Sequence, residues 1–457
     1  MSVLLDQLTS GIYTASLSDG ATLMMESKLQ HLIHPVDELL KHLNVDRLTS
    51  RLAELGTIGR TPGNGLTRLA GSPSAALAER RVAEWMCEAG LRVCRDSVGN
   101  LFGSLAPHIP PTVMIGSHLD TVVDAGQFDG CLGVLAGIEV AAAIGATLGT
   151  ETAVAVAAFA NEEGVRYQPD LMGSSVYAGL LRPEDALAAV DSDGTSYAAA
   201  LAEAESDEVV ALPFGQPSRP SYYVELHIEQ GPTLHELGRP VAAVAGIQGF
   251  RWFEIDVRGV ANHAGTTPMK HRRDAVAAST DILSGLLADG RAPDAGDFVV
   301  TCGTFRVESG AINTVPGRAV FTLDMRDPDF GNLDLAVQRL RQACLQAERT
   351  HGVTVEVREL ASQPTVLFDR ELVALATASV AAETGTPLTV MSGAAHDAQV
   401  LQRLCPTVML FAPSIGGVSH SPTELTDEAD IATSTRSLLR LVHMLLTKDI
   451  LSKGLLL

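Results

Sequence analysis

Five short motifs carry side chains that could hold a cation or move a proton. They are Gly116-Ser117-His118-Leu119-Asp120-Thr121, Gly126-Gln127-Phe128-Asp129-Gly130, Asn161-Glu162-Glu163-Gly164, His227-Ile228-Glu229-Gln230-Gly231-Pro232 and Gly416-Gly417-Val418-Ser419-His420-Ser421-Pro422. Imidazole and carboxylate without thiolate suit Zn²⁺, Mn²⁺ or Co²⁺. A pair of such ions needs one bridging carboxylate and two further ligands for each ion, and the motifs supply that set with an acid to spare. Glu162 and Glu163 can divide the work of base and ligand, because neighbouring residues leaving a strand point in different directions. Taken singly, each motif is weak. A lone His-x-Asp is more often a hydrogen-bonded histidine, and a Glu-Glu pair more often a solvated surface pair. Their conjunction carries the weight, since burying so many polar groups without a metal would cost several kcal/mol. His42, His108, His271, His351 and His443 read as ordinary surface or helix histidines.

The motifs need elements to bring them together. Residues 112–116 (TVMIG), 152–160 (TAVAVAAFA), 222–226 and 407–411 read as buried strands, and each precedes a motif. Residues 130–144 read as a helix opened by Gly126-Gln127-Phe128-Asp129-Gly130. Short apolar strands followed by helices predict a largely parallel, helix-covered sheet. In such sheets, ligands bind beyond the carboxyl ends of the strands. Upstream, helical spacing runs over 36–55 and again over 74–90, where Gly90 is the stop signal. Strands follow at 91–94 and 100–105.

The texture changes after about Gly238. Residues 252–257 (WFEIDV) alternate apolar and polar, as a one-sided sheet does. Strands over 252–257, 298–301, 319–323 and 353–357, with helices over 274–287 and 332–348, predict a small inserted α+β sandwich. Buried strands return at 388–391 and 407–411, and a helix over 430–446 closes the chain. The expected fold class is α/β: a helix-covered mixed-sheet domain from residues 36–237 and 350–457, interrupted by an α+β domain at 238–349. Residues 1–35 have weak periodicity and are expected to form a poorly ordered tail.

Composition bounds the reading. The chain has 457 residues, and 33 Lys plus Arg against 54 Asp plus Glu give 33 − 54 = −21. Such a balance, with no basic run, argues against nucleic acid or an anionic membrane as partner. A 46% hydrophobic fraction with 19% charged residues excludes disorder, and the length calls for more than one domain. The six cysteines are scattered with no CxxC pair, as in a cytoplasmic protein with reduced thiols. The first basic residue is Lys28, so no signal peptide is expected. The apolar stretch at 134–149 is interrupted by Glu139 and falls short of the ~20 residues of a membrane span.

The sequence resembles the amidohydrolase branch of the dinuclear-metal exopeptidase superfamily, which contains N-carbamoyl-L-amino-acid hydrolases, allantoate amidohydrolases and β-ureidopropionases. The resemblance runs from about residue 40 to 445. It rests on GSHLDTV, FDGCLGVLAG, NEEGVRY, ELHIEQGP, NHAGTTPM followed by RRDA, INTVPG, DMR, SGAAHDAQ and GVSHSPTE. ELHIEQGP together with NHAGTTPM separates this branch from the related aminopeptidases and deacylases. The resemblance implies a zinc-exopeptidase-like catalytic domain, and an insert that serves as lid and homodimer contact. It implies two divalent ions per subunit (Zn, Mn or Co). His118 and His227 would hold one, Glu163 and His420 the other, and Asp129 would bridge them. Asp120 would orient His118, and Glu162 would be the general base. His263, from the lid, would stabilise the tetrahedral oxyanion, reaching into the partner subunit's site. Asn313 and Arg326 would bind substrate, Arg326 as a fork for an α-carboxylate; a salt bridge from Arg326 to Asp324 or Asp327 is the competing reading. Gln230 would contact substrate, and His396 would lie near the site.

This chain departs from the family at Ala395, where Gly is usual, and at Gly173-Ser174-Ser175, where Gly-Ser-Lys or Gly-Ser-Arg is common. The expected reaction is hydrolysis of the ureido amide of a small carboxylic acid, in first place an N-carbamoyl-L-amino acid. The run Pro169-Asp170-Leu171-Met172-Gly173-Ser174 favours that group. The alternatives are an allantoate amidohydrolase, an N-acyl-amino-acid deacylase or dipeptidase, and an inactive metal-binding homologue. The intact ligand set and Glu162 count against the last.

Overall fold

The computed structural model describes residues 36–204, 212–293, 295–308 and 311–452. The expected tail at 1–35 lies outside the described residues. Val154–Phe159, Val113–His118, Tyr222–Ile228 and Thr407–Ala412 lie side by side and parallel in the middle of a nine-stranded sheet. Each strand is apolar on both faces. Val113, Ile115, Val224 and Leu410 enter one core, while Met114, Ala155, Tyr223 and Phe411 enter the other. Such strands fold only if both faces are covered. Helices Pro73–Glu88, Cys131–Leu148, Arg370–Thr384 and Glu428–Ser452 supply residues to the first core. Met172–Tyr177 and Asp397–Leu401 supply residues to the second.

The sheet is mixed, as the expected fold class has it, and its parallel order is confined mainly to the middle. Leu101–Ser104 and Arg92–Arg95 add antiparallel strands at one end. At the other end, Ala242–Ile247 runs antiparallel to Thr407–Ala412 and carries Val366–Leu367 and Thr389–Ser392. Ala242–Ile247 lies inside the stretch expected for the insert, yet it belongs to this sheet. Its sequence, AAVAGI, lacks the polar alternation of the strands that follow. Thr354–Gln363 pairs in the second sheet, as expected of the strand over 353–357, so that sheet runs past the expected boundary at 349. The helical pattern over 36–55 is split into Val36–His42 and Val45–Leu55, because the Asn44 side chain caps the second helix by accepting from Arg47 N at 2.8 Å.

Helix Cys131–Leu148 is apolar enough by composition to cross a membrane, but 78% of it is buried inside the protein. Its one charge, Glu139, accepts from Arg47 at 2.8 and 2.6 Å and from Arg51 at 3.1 Å. Arg51 is itself buried and also holds Glu88 at 2.7 Å. Removing one side of a buried pair strands the other charge. Glu139→Ala is therefore expected to cost about 3 kcal/mol, the low end for such a break because Glu88 still holds Arg51. A lowered midpoint of urea unfolding is the measurement that checks it.

The second sheet has the order Phe305–Glu308, Arg318–Asp327, Gly249–Arg258, Thr354–Gln363, all antiparallel, with Val299–Thr301 also on Arg318–Asp327. As the WFEIDV alternation predicts, one face is apolar. Phe253, Ile255, Val257, Phe321 and Leu323 pack with residues of helices Ala275–Gly290 and Phe330–His351. Asp274 and Asp329 cap those helices. A two-stranded ladder pairs Asn262–His263 with Thr314–Val315.

Candidate metal centre

The parallel strands deliver the motifs to one edge. Val113–His118 ends on His118, and Tyr222–Ile228 carries His227 in its last turn of the pleat. Glu162 and Glu163 follow Val154–Phe159, and His420 follows Thr407–Ala412 through a longer loop. Asp129 stands just before helix Cys131–Leu148. Gly130 between them has φ +64°, and a Cβ there would sit 2.5 Å from the His118 ring. A Cβ on Gly133 would lie 2.2 Å from the Leu226 carbonyl oxygen. The glycines of FDGCLGVLAG thus let the helix approach the ligand-bearing strands.

Asp129 is the centre of the cluster. Its Oδ1 lies 3.1 Å from His227 Nε2 and 3.6 Å from His118 Nε2. Its Oδ2 lies 3.2 Å from His420 Nε2. Glu163 Oε1 lies 3.7 Å from His420 Nε2, and Glu162 Oε2 lies 3.7 Å from His118 Nε2. The adjacent acids therefore face different histidines. Ligand atoms of His118, Asp129 and His227 fall within 4.8 Å of one another, and so do those of Asp129, Glu163 and His420. Asp129 belongs to both groups. A third grouping, Glu225, His227 and His396, is already satisfied. Glu225 accepts from Ser117, Tyr223 and Ala398 N, and His396 Nε2 lies 3.0 Å from Ser392 Oγ.

The residues fit a divalent ion. Glu163 Oε1 is buried without a hydrogen-bond partner. Nε2 of His118, of His227 and of His420 converges on one carboxylate, and the donor set is imidazole and oxygen. Burial opposes ionisation of Asp129, but hydrogen bonds from His118, His227 and His420 outweigh it and hold that carboxyl well below the usual range. Burial pushes Glu162 well above the usual carboxylate range and, with Asp129 nearby, pushes Glu163 up to about 7. A bound cation would favour the charged form of each.

A ring of partners aims these side chains. The Asp120 carboxylate accepts from Glu162 N at 3.1 Å and Glu163 N at 3.2 Å, so it fixes the turn that presents both acids. His118 Nδ1 meets the main-chain carbonyl of Asp120 at 3.0 Å, whereas the carboxylate is 3.9 Å away. Asp120 thus orients His118 through its backbone. His227 Nδ1 meets the Ile228 carbonyl at 2.9 Å. Either contact leaves Nε2 facing the cluster. Gln230 Nε2 donates to Asp129 Oδ2 at 2.9 Å and lies 3.2 Å from His420 Nε2. Gln230 and His420 hold positive φ, +57° and +53°, a conformation that costs backbone strain in residues other than glycine.

Sequence reasoning missed two of these partners. Glu424 accepts from Phe128 N, Asp129 N and Ser419 Oγ at 2.9, 3.2 and 2.8 Å, tying the Asp129 turn to the His420 loop. Its position inside GVSHSPTE was the available signal. Arg68 is fully buried and donates to the carbonyls of Leu55, Ile58 and Leu119 and to Cys131 Sγ. Nothing in the sequence around Arg68 marks it.

The cluster opens into a cavity of about 210 Å³. Gln230, Arg326, His396 and Ala395 line it, as do Gln248, Phe250 and Trp252. Arg326 is the one Lys or Arg among the described residues that line it. It donates Nε and Nη2 to Asp324, at 3.1 and 2.8 Å, and Nη1 to the Gly393 carbonyl at 2.7 Å. The competing salt bridge to Asp324 is therefore present, and Asp327 instead accepts from Asp329 N and Asn332. His396 is buried against His227, ring centroids 4.4 Å apart, and burial holds it well below the usual histidine range. His263 and Asn313 are not brought to this cavity. Both are exposed, His263 on the two-stranded ladder and Asn313 in the turn that leads into it, where Ala264 N donates to the Asn313 carbonyl. His263 Nδ1 accepts from Gly265 N and Thr266 N, which leaves the proton on Nε2. Of the histidines set aside from the sequence, His108 and His351 pair with Glu151 and Asp281.

The sequence profile of peptidase family M20/M25/M40 matches residues 114–444. The N-carbamoyl-L-amino acid amidohydrolase of Geobacillus stearothermophilus is 38% identical over 405 residues, 88% of this chain and 98% of the relative. The allantoate amidohydrolase of Escherichia coli (strain K12) is 34% identical over 405 residues, 86% of this chain and 95% of the relative. The crystal structure of a hydantoinase/carbamoylase family amidase from Burkholderia ambifaria superposes with a TM-score of 0.79 at 36% identity, covering 88% of this chain and 98% of that one.

Proposed function

This chain belongs to peptidase family M20/M25/M40, and we propose that it hydrolyses the ureido amide of an N-carbamoyl-L-amino acid at a pair of divalent ions. It is a hydrolase of carbon–nitrogen bonds in linear amides, as its relatives are. One observation carries the two-ion reading. The Asp129 carboxylate faces His227 on one oxygen and His420 on the other, at 3.1 and 3.2 Å. A single anion then stands between two ligand groups, with His118 completing one and Glu163 the other. Zinc, manganese and cobalt all suit these donors. When bound, such ions supply the Lewis acidity that makes water a nucleophile at neutral pH.

The chain's own groups do the rest. Glu162 takes a proton from the attacking water and returns it to the leaving nitrogen. Burial raises its pKa, and a cation bound beside it would favour the carboxylate form that a base needs. Water adds to the carbamoyl carbon and one of its two carbon–nitrogen bonds breaks; the carbamic acid that remains loses carbon dioxide, which breaks the second, so the products are the amino acid, ammonia and carbon dioxide. Arg326 and Gln230 bind the substrate acid, and His396 supports the floor of the cavity beside His227. The second sheet with its two helices acts as the lid. His263 presents an Nε2 proton from the ladder, and Asn313 a side-chain amide from the turn before it. In this reading they complete the oxyanion site of the partner subunit in a homodimer.

Glu424 acts through the Asp129 turn and through Ser419, the neighbour of His420. Glu424→Ala is expected to weaken metal binding about 10–100-fold, the usual loss for an outer partner, as read by metal titration of chelator-treated protein. The substrate class is tested by comparing turnover of N-carbamoyl-L-methionine, allantoate and N-acetyl-methionine. The carbamoyl compound is expected to be fastest. Fastest turnover of allantoate would make the protein an allantoate amidohydrolase, and activity on the acetyl compound alone would sink the ureido reading.

A further inference from the structure

The second sheet gives the cavity a wall with an arrangement that the ureido chemistry alone does not require. Phe250 and Trp252 are i and i+2 on Gly249–Arg258, so they share one face of the second sheet. The alternate residues Phe253, Ile255 and Val257 fill the core on the opposite face. Further along the Phe250 face the same strand carries Glu254, Asp256 and Arg258. The face is therefore aromatic only at its cavity end. The two rings pack with centroids 4.9 Å apart, yet Trp252 is 39% exposed and Phe250 is not fully buried. In register on the adjacent strand, Arg326 stands opposite Phe250, and Asp324 opposite Trp252. The Arg326 guanidinium carbon lies 5.9 Å from the centre of the Phe250 ring. Its bonds to Asp324 and Gly393 leave one N–H on each Nη free for a further acceptor.

A cation beside one exposed and one half-buried ring matches a molecule whose carboxylate and apolar side chain leave the same carbon. We propose that Phe250 and Trp252 form a side-chain subsite. It selects N-carbamoyl amino acids with a large apolar or aromatic side chain while Arg326 holds the α-carboxylate. This rests on the ureido-acid reading above and narrows it. Allantoate would set a second polar ureido group against the rings, and N-carbamoylglycine would leave them uncovered.

The test compares kcat/KM of the metal-loaded protein for N-carbamoyl-L-phenylalanine, N-carbamoylglycine and allantoate, in the native chain and in Trp252→Ala, Phe250→Ala and Trp252→Phe. The native chain is expected to favour the phenylalanine compound by on the order of 10-fold or more. That ratio should fall toward one in both alanine variants and return in Trp252→Phe. Turnover without the preference, or alanine variants that slow all substrates equally, would overturn the subsite and leave the ureido reading standing. No turnover of any of these substrates would overturn both.

Discussion

Glu162→Gln is expected to bind metal as the native chain does and to turn over substrate about 10²–10⁴-fold more slowly. In energy, that is a barrier higher by about 3–5 kcal/mol. Glutamine keeps the shape of the side chain but cannot take up a proton. The two halves of the prediction separate two readings of the geometry. Glu162 Oε2 is 3.7 Å from His118 Nε2, and Glu162 groups with His118 and Glu163 as a possible ligand. If it were a ligand, the glutamine variant would lose metal along with activity. If it is the base, metal content holds and kcat falls. Metal analysis of the purified variant beside single-turnover kinetics reads both. Retained turnover would mean that another group takes the proton.

Asp129→Asn is expected to remove both ions together and to abolish turnover. Asp129 is the one residue common to both of the ligand groups on either side of it. The substitution takes away the charge that faces all three histidines. It also leaves their Nε2 atoms against a side chain that offers a neutral amide. The loss in metal affinity should exceed the roughly 100-fold upper range for an outer partner such as Glu424. His420→Ala is the contrast, because His420 belongs to only one of the pair of groups. It should lose one ion and keep the other. Equal stoichiometry in the two variants would contradict a bridging role for Asp129.

The reach of the sequence follows from what each residue type demands. Buried strands declare themselves by unbroken apolar runs, so TVMIG and TAVAVAAFA locate the central sheet, and with it the edge where His118 and Glu162 stand. WFEIDV announces a one-sided sheet by alternation, and that sheet is present. The cluster of acids and imidazoles was legible because such groups at strand ends are costly to bury without a purpose. Other features have no local signature. Ala242–Ile247 is an apolar strand in a stretch whose neighbours belong to the other sheet, and only long-range pairing assigns it. Phe305–Glu308 is exposed at every position, so burial imposed no pattern on it. Glu424 matters because it meets amides almost three hundred positions away. Arg68 matters because it meets carbonyls, which every residue has. The Asp324 partner of Arg326 was visible as a rival two positions away, and the structure has it.

The most direct test of a hydrolytic centre built on Asp129 is an activity titration. Chelator-treated protein would receive Mn²⁺ or Zn²⁺ in measured equivalents per chain, and free methionine released from N-carbamoyl-L-methionine would be followed at each step. Turnover is expected to be absent without metal and to reach its plateau at two equivalents. Full activity in the metal-free protein, or a plateau at one equivalent, would contradict it.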